Sequence, residues 1–326
     1  MGFLKLGGAM GYKLFAWQGL EFEVPEDWEL GQEKGDYANG FIRLDDLAFA
    51  RLGVNWQTLK EKNVKSPAEF VRDLKKRLKK KDKQMRFLSE NKTKVCSHPA
   101  RYFRWKSAGE GYDLFWYCDE TRRAFVAEFA FKPEEYAQMR PVLDRLIETA
   151  RCHGREDFTN WAFYGLSLQI PAGFQLVERA IYTTGIHLFF SSKTASFMLD
   201  RIAFGQSVIS EKYHGLKEWF EKVYRRQLRK TYKGIRSPRY RMTEFLGHDA
   251  LAATSPYRRG MLMRRYTVES KVWLCEASNR LFAVSTSLAG RDGKANKDLK
   301  RILSSVRCHE QALEETVSDA AVPEEA

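Results

Sequence analysis

The sequence predicts an α+β protein made of two tandem α/β/α-sandwich domains, each with a mainly antiparallel sheet covered by helices. One observation is a repeated motif, since residues 116–125 (WYCDETRRAF) and 273–282 (WLCEASNRLF) share Trp, Cys, Arg and Phe at one spacing. Another is a series of short segments in which apolar and polar residues alternate, which is the period of β-strands. The 326 residues, 44% of them hydrophobic, are also enough for two domains of ordinary size.

Both halves open with a strand that ends at a proline. The segment GLEFEVPEDWEL (19–30) matches GLSLQIPAGFQL (165–176). Leu20, Phe22 and Val24 alternate with acidic residues, which predicts a strand, and the proline ends it. Turn-length connections between consecutive strands favour an antiparallel sheet. We expect further strands near 40–44, 49–56, 86–95, 101–107, 112–118 and 124–131, and in the second half near 186–191, 197–204, 239–246, 250–254, 261–269, 271–275 and 281–288.

The helices complete an order of elements that both halves share. We expect helices at 67–80, 134–151, 214–231 and 295–306. The first begins with a capping-box signature, in which Ser66 is followed by Pro67 and Glu69. The last helix of each half ends in Cys-His. Because halves of this size are domain-sized, we predict a domain duplication. Its parts are a flexible lead-in at 1–13, repeat 1 at 14–153, a linker at 154–160, repeat 2 at 161–309 and a disordered acidic tail at 310–326.

The opening strand is followed in each half by the pattern Pro-x-x-aromatic, formed by Pro25 with Trp28 and by Pro171 with Phe174. Together with the order of strands and helices, this pattern resembles the Mog1/PsbP-like family. The resemblance implies an α/β/α sandwich in each repeat. It also implies a binding or assembly module more often than an enzyme, with partners that differ between members. Since such a fold does not transfer a function by itself, the functional inference depends on the residues.

The charge of the chain favours anionic partners. The formal net charge is +13, and it rises to +19 for residues 1–309 because residues 310–326 contain six acids and no Lys or Arg. The acidic tail is expected either to shield the basic body or to aid solubility. No apolar run approaches the roughly 20 residues of a membrane-spanning helix. No secretory signal is recognisable, so we expect a cytoplasmic protein without membrane insertion.

Two predicted helices carry a basic ridge opposite an apolar stripe. The stripes consist of Phe70, Val71, Leu74 and Leu78 in the first half, and of Leu216, Trp219, Phe220 and Val223 in the second. The ridges, with almost no compensating acid, are Arg72, Lys76, Lys79, Lys80 and Lys83, and Lys222, Arg225, Arg226, Arg229 and Lys233. Like charges one turn apart cost about 0.2–0.5 kcal/mol per pair, which contact with an anion would offset. We therefore predict anion-binding sites, with solvated helix faces as the alternative.

Most cysteines and histidines occupy matched positions in the two halves. The matched pairs are Cys118 with Cys275, Cys152 with Cys308, His98 with His248 and His153 with His309, whereas Cys96, His187 and His214 have no match. Three interpretations stay open. The thiols can pack as small hydrophobes, form thiol or disulfide pairs (Cys118–Cys152 and Cys275–Cys308), or bind zinc with one or two His in each half. Because the close spacing of a zinc knuckle is lacking, no metal or other cofactor is expected.

The chain lacks the short motifs of common enzymes. It contains no G-x-x-x-x-G-K-[ST] loop, no H-E-x-x-H and no G-x-S-x-G. We therefore expect a non-enzymatic binding or assembly module that engages a polyanionic partner through the basic ridges. That partner would be nucleic acid, a ribonucleoprotein or an acidic protein surface. The alternative is a tandem-domain scaffold in which the matched Cys and His have a thiol-redox or zinc-binding role. The motif arginines, Arg123 and Arg280, are expected to be solvated or ion-paired.

Overall fold

The computed structural model describes residues 11–154, 157–182, 184–259, 264–289 and 292–309. The predicted acidic tail and most of the predicted lead-in lie outside the described residues. The described residues fall into two compact units. The first lies within Met1–Val177, Phe190–Ser196 and Arg291–Val306, and the second within Glu178–Phe189, Phe197–Gly290 and Arg307–Ala326. The boundaries of the two repeats stay a prediction.

Strands are the main elements. In the first half they are β1 (Tyr12–Trp17), β2 (Leu20–Pro25), β3 (Glu29–Gly35), β4 (Asn39–Asp45), β5 (Ala50–Thr58), β6 (Arg86–Val95), β7 (His98–Lys106), β8 (Glu110–Cys118) and β9 (Arg123–Phe131). In the second half they are β10 (Phe158–Phe163), β11 (Leu166–Pro171), β12 (Gln175–Tyr182), β13 (Gly185–Ser191), β14 (Ala195–Ala203), β15 (Arg239–Phe245), β16 (His248–Arg259), β17 (Arg264–Cys275) and β18 (Arg280–Ala289). Two strands thus begin inside predicted irregular segments, β1 in the lead-in and β10 in the linker.

Six α-helical segments accompany the strands in the described part of the chain. They are α1 (Pro67–Lys81), α2 (Tyr136–Thr149), α3 (Gly205–Ser207), α4 (Leu216–Trp219), α5 (Arg225–Thr231) and α6 (Gly293–Ser305). The helix predicted at 214–231 begins late, because His214 and Gly215 have φ angles of 47° and 125°, outside the helical region. A π-helical segment, Phe220–Tyr224, then joins α4 to α5. None of these helices is both long and apolar enough to cross a membrane.

The two halves share one sheet topology, in agreement with the mainly antiparallel α+β prediction. The strand order is β3-β4-β5-β9-β8-β7-β6 in one seven-stranded sheet and β12-β13-β14-β18-β17-β16-β15 in the other. The opening hairpins form a separate sheet, β11-β10-β1-β2, in which Ala16 pairs with Ala162. Strands β3 and β12, which we did not predict, are edge strands with few buried side chains, so their sequences show little alternation.

Helix α1 covers one face of the first seven-stranded sheet. The predicted capping box is confirmed, since Ser66 Oγ accepts from the Glu69 N–H (3.3 Å) and the Ser66 N–H donates to Glu69 Oε2 (3.1 Å). Val71 and Leu74 are buried, and Phe70 stacks on Phe115 with ring centroids 3.8 Å apart. The predicted apolar stripe therefore faces the core, and the cations of α1 face outward.

The apolar stripe of the second half differs from the prediction. Trp219, Phe220, Tyr224 and Leu228 are buried, whereas Val223 is 36% exposed. The π-helical turn contains more residues than an α-helical turn, so it rotates the positions that follow it. Tyr224 therefore takes the place that we expected for Val223.

Candidate functional site

The first candidate site, cluster 1, contains Cys96, His98, Cys118, Cys152 and His153. Cys96 lies in the β6–β7 turn, His98 begins β7, Cys118 ends β8, and Cys152 and His153 follow α2. One ligand atom from each of Cys96, His98, Cys152 and His153 lies within 4.8 Å of the others. The Nδ1 atom of His153 is 3.6 Å from Cys118 Sγ and 3.7 Å from Cys152 Sγ. The fold thus brings the matched residues of the first half together and adds Cys96.

Two carboxylates in the turn after β8 orient the imidazoles of cluster 1. The Nδ1 atom of His98 is 2.9 Å from Asp119 Oδ1, and the Nε2 atom of His153 is 3.4 Å from Glu120 Oε2. The other ring nitrogen of His98, Nε2, is buried and has no hydrogen-bond partner among the described residues. The other nitrogen of His153 faces the thiols. Carboxylate partners of this kind orient histidines that bind metals.

The backbone conformation of Cys96 is unusual for a residue with a side chain. Cys96 and Ser97 have φ angles of 50° and 72° in a two-residue hairpin turn, where Asn-Gly is the favoured sequence. The matching turn between β15 and β16 contains Leu246 and Gly247, with φ angles of 54° and 74°. Cys96 has no cysteine counterpart in the second half, where the structure places Leu246 at the equivalent turn position. The position of Cys96 in a hairpin turn beside His98 was the only available sign that it belongs to the cluster.

Cluster 2 is the equivalent group in the second half and contains His248, Cys275, Cys308 and His309. The Nε2 atom of His248 is 3.3 Å from Cys308 Sγ. The Nδ1 atom of His309 is 3.2 Å from Cys275 Sγ and 3.4 Å from Cys308 Sγ. One ligand atom from each of the four residues lies within 4.8 Å of the others, and both thiols are buried. All four residues matched between the repeats therefore meet at one place.

The thiols of each cluster shift each other's pKa values. All five cysteines of the sequence are among the described residues and are free thiols. A hydrogen bond from the Cys152 thiol lowers the pKa of Cys118, and the same pairing, together with burial, raises the pKa of Cys152. Burial raises the pKa of Cys308 to about 11. Burial and the neighbouring His309 lower the pKa of His248, which favours the neutral imidazole that can accept a proton or a metal.

Arg123 of the repeated motif is fully buried, so our expectation of a solvated or ion-paired side chain was wrong. Its guanidinium donates to the carbonyl oxygens of Gln18 (2.9 Å) and Cys152 (2.6 Å), and lies 4.1 Å from the centroid of the Tyr37 ring. The carbonyls replace the water that a surface arginine would bind. Arg123 therefore connects the end of the closing segment, next to His153, with the opening hairpin.

A second candidate site, the basic groove, lies between α1 and β6. It has a volume of about 610 Å³ and is lined by Arg72, Lys75, Lys76, Lys79, Lys80, Phe87 and Glu90. Four of its five cations are predicted ridge residues, and Lys75 is an addition. Lys83, also predicted, lies beyond the end of α1, where its carbonyl oxygen accepts from Lys79 Nζ (2.8 Å). Glu90 accepts from Lys75 Nζ (2.7 Å), so one carboxylate faces five cations in this groove.

The ridge of the second half is partly neutralised, so our expectation of almost no compensating acid was wrong for this ridge. Lys222 binds Glu218 and Arg225 binds Glu221, each at 2.5 Å and one helical turn away. Arg226, Arg229 and Lys233, the other predicted residues, are exposed. Their anion-binding role stays a prediction, and the first half presents the more concentrated charge.

No family model and no curated protein matches the chain. Among solved structures, the chain is similar to the cyanobacterial PsbP (CyanoP) of Synechocystis, with 10% identity, 47% of this chain and 100% of that chain covered, and a TM-score of 0.36. It is also similar to the Saccharomyces cerevisiae Ran-binding protein Mog1p, with 9% identity, coverage of 47% and 96%, and a TM-score of 0.29. The immunity protein TplEi of the Pseudomonas aeruginosa T6SS gives 11% identity, coverage of 92% and 98%, and a TM-score of 0.33. A PsbP protein and a Mog1 protein are thus both among the similar structures. At identities this low, the similarity concerns the fold alone.

Proposed function

We propose that this protein is a non-enzymatic binding module that binds a polyanion in the basic groove. The observation that carries the proposal is the concentration of five cations in one groove with one carboxylate. Arg72, Lys76 and Lys80 are exposed and lie four residues apart, so they form a row along α1 with steps of about 6 Å. Such a row repels itself, and a polyanion that neutralises it releases its own counterions.

The other two cations of the groove have structural contacts. Lys75 forms the ion pair with Glu90, and its Nζ lies 4.9 Å from the centroid of the Phe103 ring. Lys79 donates to the carbonyl oxygens of Lys83 and Met85 just beyond the end of α1. The exposed row of Arg72, Lys76 and Lys80 is therefore the part of the groove that a partner engages. Nucleic acid is the partner class that we favour, because a regular row of charges suits a repeating phosphate backbone.

We also infer that the chain consists of two tandem α/β/α-sandwich domains in a cytoplasmic protein. The shared strand order of the two seven-stranded sheets supports this inference, as do the equivalent Cys/His clusters. Under this interpretation, the two domains have diverged in charge. The first retains the exposed row of α1, whereas ion pairs occupy part of the ridge in the second.

The test is the binding of a fluorescently labelled, single-stranded oligonucleotide to the full chain, followed by anisotropy over a range of salt concentrations. The variant Arg72→Gln/Lys76→Gln/Lys80→Gln should bind more weakly. Its slope of log K against log salt should be less steep by about 2, because each phosphate contact contributes about 0.7 for single strands. The control Lys34→Gln/Lys62→Gln/Arg122→Gln removes as many exposed charges from other parts of the first half.

The control variant should retain the wild-type slope. Equal losses in the two triple variants would mean that only the net charge matters, and the groove would then have no special role. Fluorescently labelled polyglutamate, titrated in the same anisotropy assay, separates the partner classes. If polyglutamate binds and the oligonucleotide does not, the partner is an acidic protein and nucleic acid is excluded.

A further inference from the structure

We propose that each Cys/His cluster is a structural zinc site, so that the chain binds two zinc ions. Zinc in proteins is tetrahedral, with Zn–S distances of about 2.3 Å and Zn–N distances of about 2.0–2.1 Å. In a tetrahedron of these dimensions, a sulfur ligand and a nitrogen ligand lie about 3.5 Å apart. The observed Sγ–N distances are 3.2, 3.3 and 3.4 Å in cluster 2, and in cluster 1 Cys152 Sγ lies 3.7 Å from His153 Nδ1. The side chains thus already have the spacing that zinc requires.

The donor set matches this metal. Two thiolates with two imidazoles form one of the common structural zinc sites, whereas calcium and magnesium prefer oxygen ligands. Four protein ligands complete the tetrahedron and leave no position for the water that a catalytic zinc ion binds. We expected no metal because the ligands are far apart in the chain and lack the close spacing of a zinc knuckle. The hairpin turns and the closing segments bring them together in the fold.

His98 provides an independent observation that points to a ligand. Its side chain is buried, Asp119 fixes the Nδ1 side of the ring, and Nε2 has no hydrogen-bond partner in the described part of the chain. A buried ring nitrogen is normally hydrogen-bonded, so this atom calls for an explanation. Zinc supplies one, because a carboxylate–histidine–zinc arrangement uses one ring nitrogen for each partner.

The distances assign four ligands to each ion. In cluster 2 they are His248, Cys275, Cys308 and His309, and in cluster 1 they are Cys96, His98, Cys152 and His153. Cys118 then stays beside the first site as a thiol. The first ion connects the β6–β7 hairpin with the segment after α2, which are more than 50 residues apart in the chain. A metal that closes so long a loop stabilises the folded state chiefly by restricting the unfolded chain.

The experiment measures the zinc content of the full chain, purified under reducing conditions, loaded with zinc and passed through a desalting column. We expect two zinc ions per wild-type chain and one in each of the variants Cys152→Ser and Cys308→Ser. The variant His214→Gln, which changes an exposed histidine outside both clusters, should retain two. Substitution with cobalt should give the absorption bands of a tetrahedral ion with thiolate ligands, reduced by half in each cysteine variant.

A folded wild-type chain that retains no zinc would overturn the proposal, as would cysteine variants that both retain two ions. Intact mass spectrometry without reductant gives a further decisive result. A mass lower by two hydrogens for each pair of thiols in the metal-loaded protein would show disulfide bridges instead of metal. If the serine variants do not fold, His98→Gln and His309→Gln test the same sites through the cobalt spectrum. Loss of an ion in Cys118→Ser but not in Cys96→Ser would overturn the ligand assignment of cluster 1.

Discussion

At the scale of single residues, the contacts of Arg123 show what the arginine of the motif W-x-C-x4-R-x-F does in the first half. Burying a guanidinium is costly unless its N–H groups have partners. Carbonyl oxygens of Gln18 and Cys152 are those partners, and the Phe125 ring of the same motif lies 4.9 Å from the guanidinium carbon. The arginine therefore fixes the backbone next to His153, and so the geometry of cluster 1.

Replacing Arg123 by Met should lower the free energy of unfolding by about 3 kcal/mol, because it leaves buried carbonyl groups without donors. Urea denaturation followed by tryptophan fluorescence measures this change. The matched control is Arg122→Met, which alters the exposed neighbour in the same turn and should change stability by less than about 0.5 kcal/mol. Similar effects of the two substitutions would contradict the role that we give to Arg123.

Part of each Cys/His cluster could be predicted from the sequence. The matched Cys and His positions identified four members of each cluster, because both halves carry them at equivalent places. Cys96 was missed because only the turn conformation between β6 and β7 brings it to the cluster. The burial of Arg123 could not be foreseen, since its partners are backbone carbonyls and these carry no signature in the sequence.

At the scale of elements, the interiors of strands and helices were more predictable than their edges. The alternation in β2 and β11 and the capping box of α1 are local signals, and the structure confirms all three elements. The π-helical segment Phe220–Tyr224 has no such signal, so the buried position moved from Val223 to Tyr224. The pairing of β1 with β10 joins segments that are distant in sequence, and a local pattern cannot reveal it.

Strands β8 and β9 also bring two carboxyl groups together, since Asp113 lies directly opposite Glu128. Burial, and secondarily the charge of Glu128, raises the pKa of Asp113 to about 7, although Trp105 Nε1 donates to its carboxylate (2.9 Å). The folded state therefore keeps a proton that the unfolded chain loses above about pH 4. The stability that this carboxyl contributes at low pH is lost as the pH rises towards 7.

The variant Asp113→Asn stays neutral and should not pay this cost. Its free energy of unfolding should match that of the wild type near pH 4 and exceed it by about 2 to 4 kcal/mol above pH 7. Urea denaturation across this range measures the difference. Asp27→Asn, at an exposed position, is the control and should show no such trend. A difference between Asp113→Asn and the wild type that does not depend on pH would contradict the raised pKa.

At the scale of the whole molecule, the two halves share most of their Cys/His cluster positions but differ in surface charge. Three of the four proposed ligand positions are the same in both clusters, with Cys96 of cluster 1 taking the part of Cys275 in cluster 2, and the strand order of the sheets is also the same. The basic surfaces differ, because Glu218 and Glu221 pair with cations of the second half. We infer that the clusters serve the stability of each half, whereas binding depends on the surface of the first.

The net charge of the chain leads to a last prediction, which concerns residues 310–326. Deleting them raises the formal net charge from +13 to +19. The shortened chain should bind the labelled oligonucleotide about three- to tenfold more tightly at low salt, since long-range attraction grows with charge. The gain should disappear at high salt, where screening limits the range of the interaction to a few ångströms.

A full-length variant with the six acids changed to amides should behave like the deletion, and a tail with the same residues in scrambled order should behave like the wild type. If the deletion leaves the low-salt affinity unchanged, the tail does not shield the basic body.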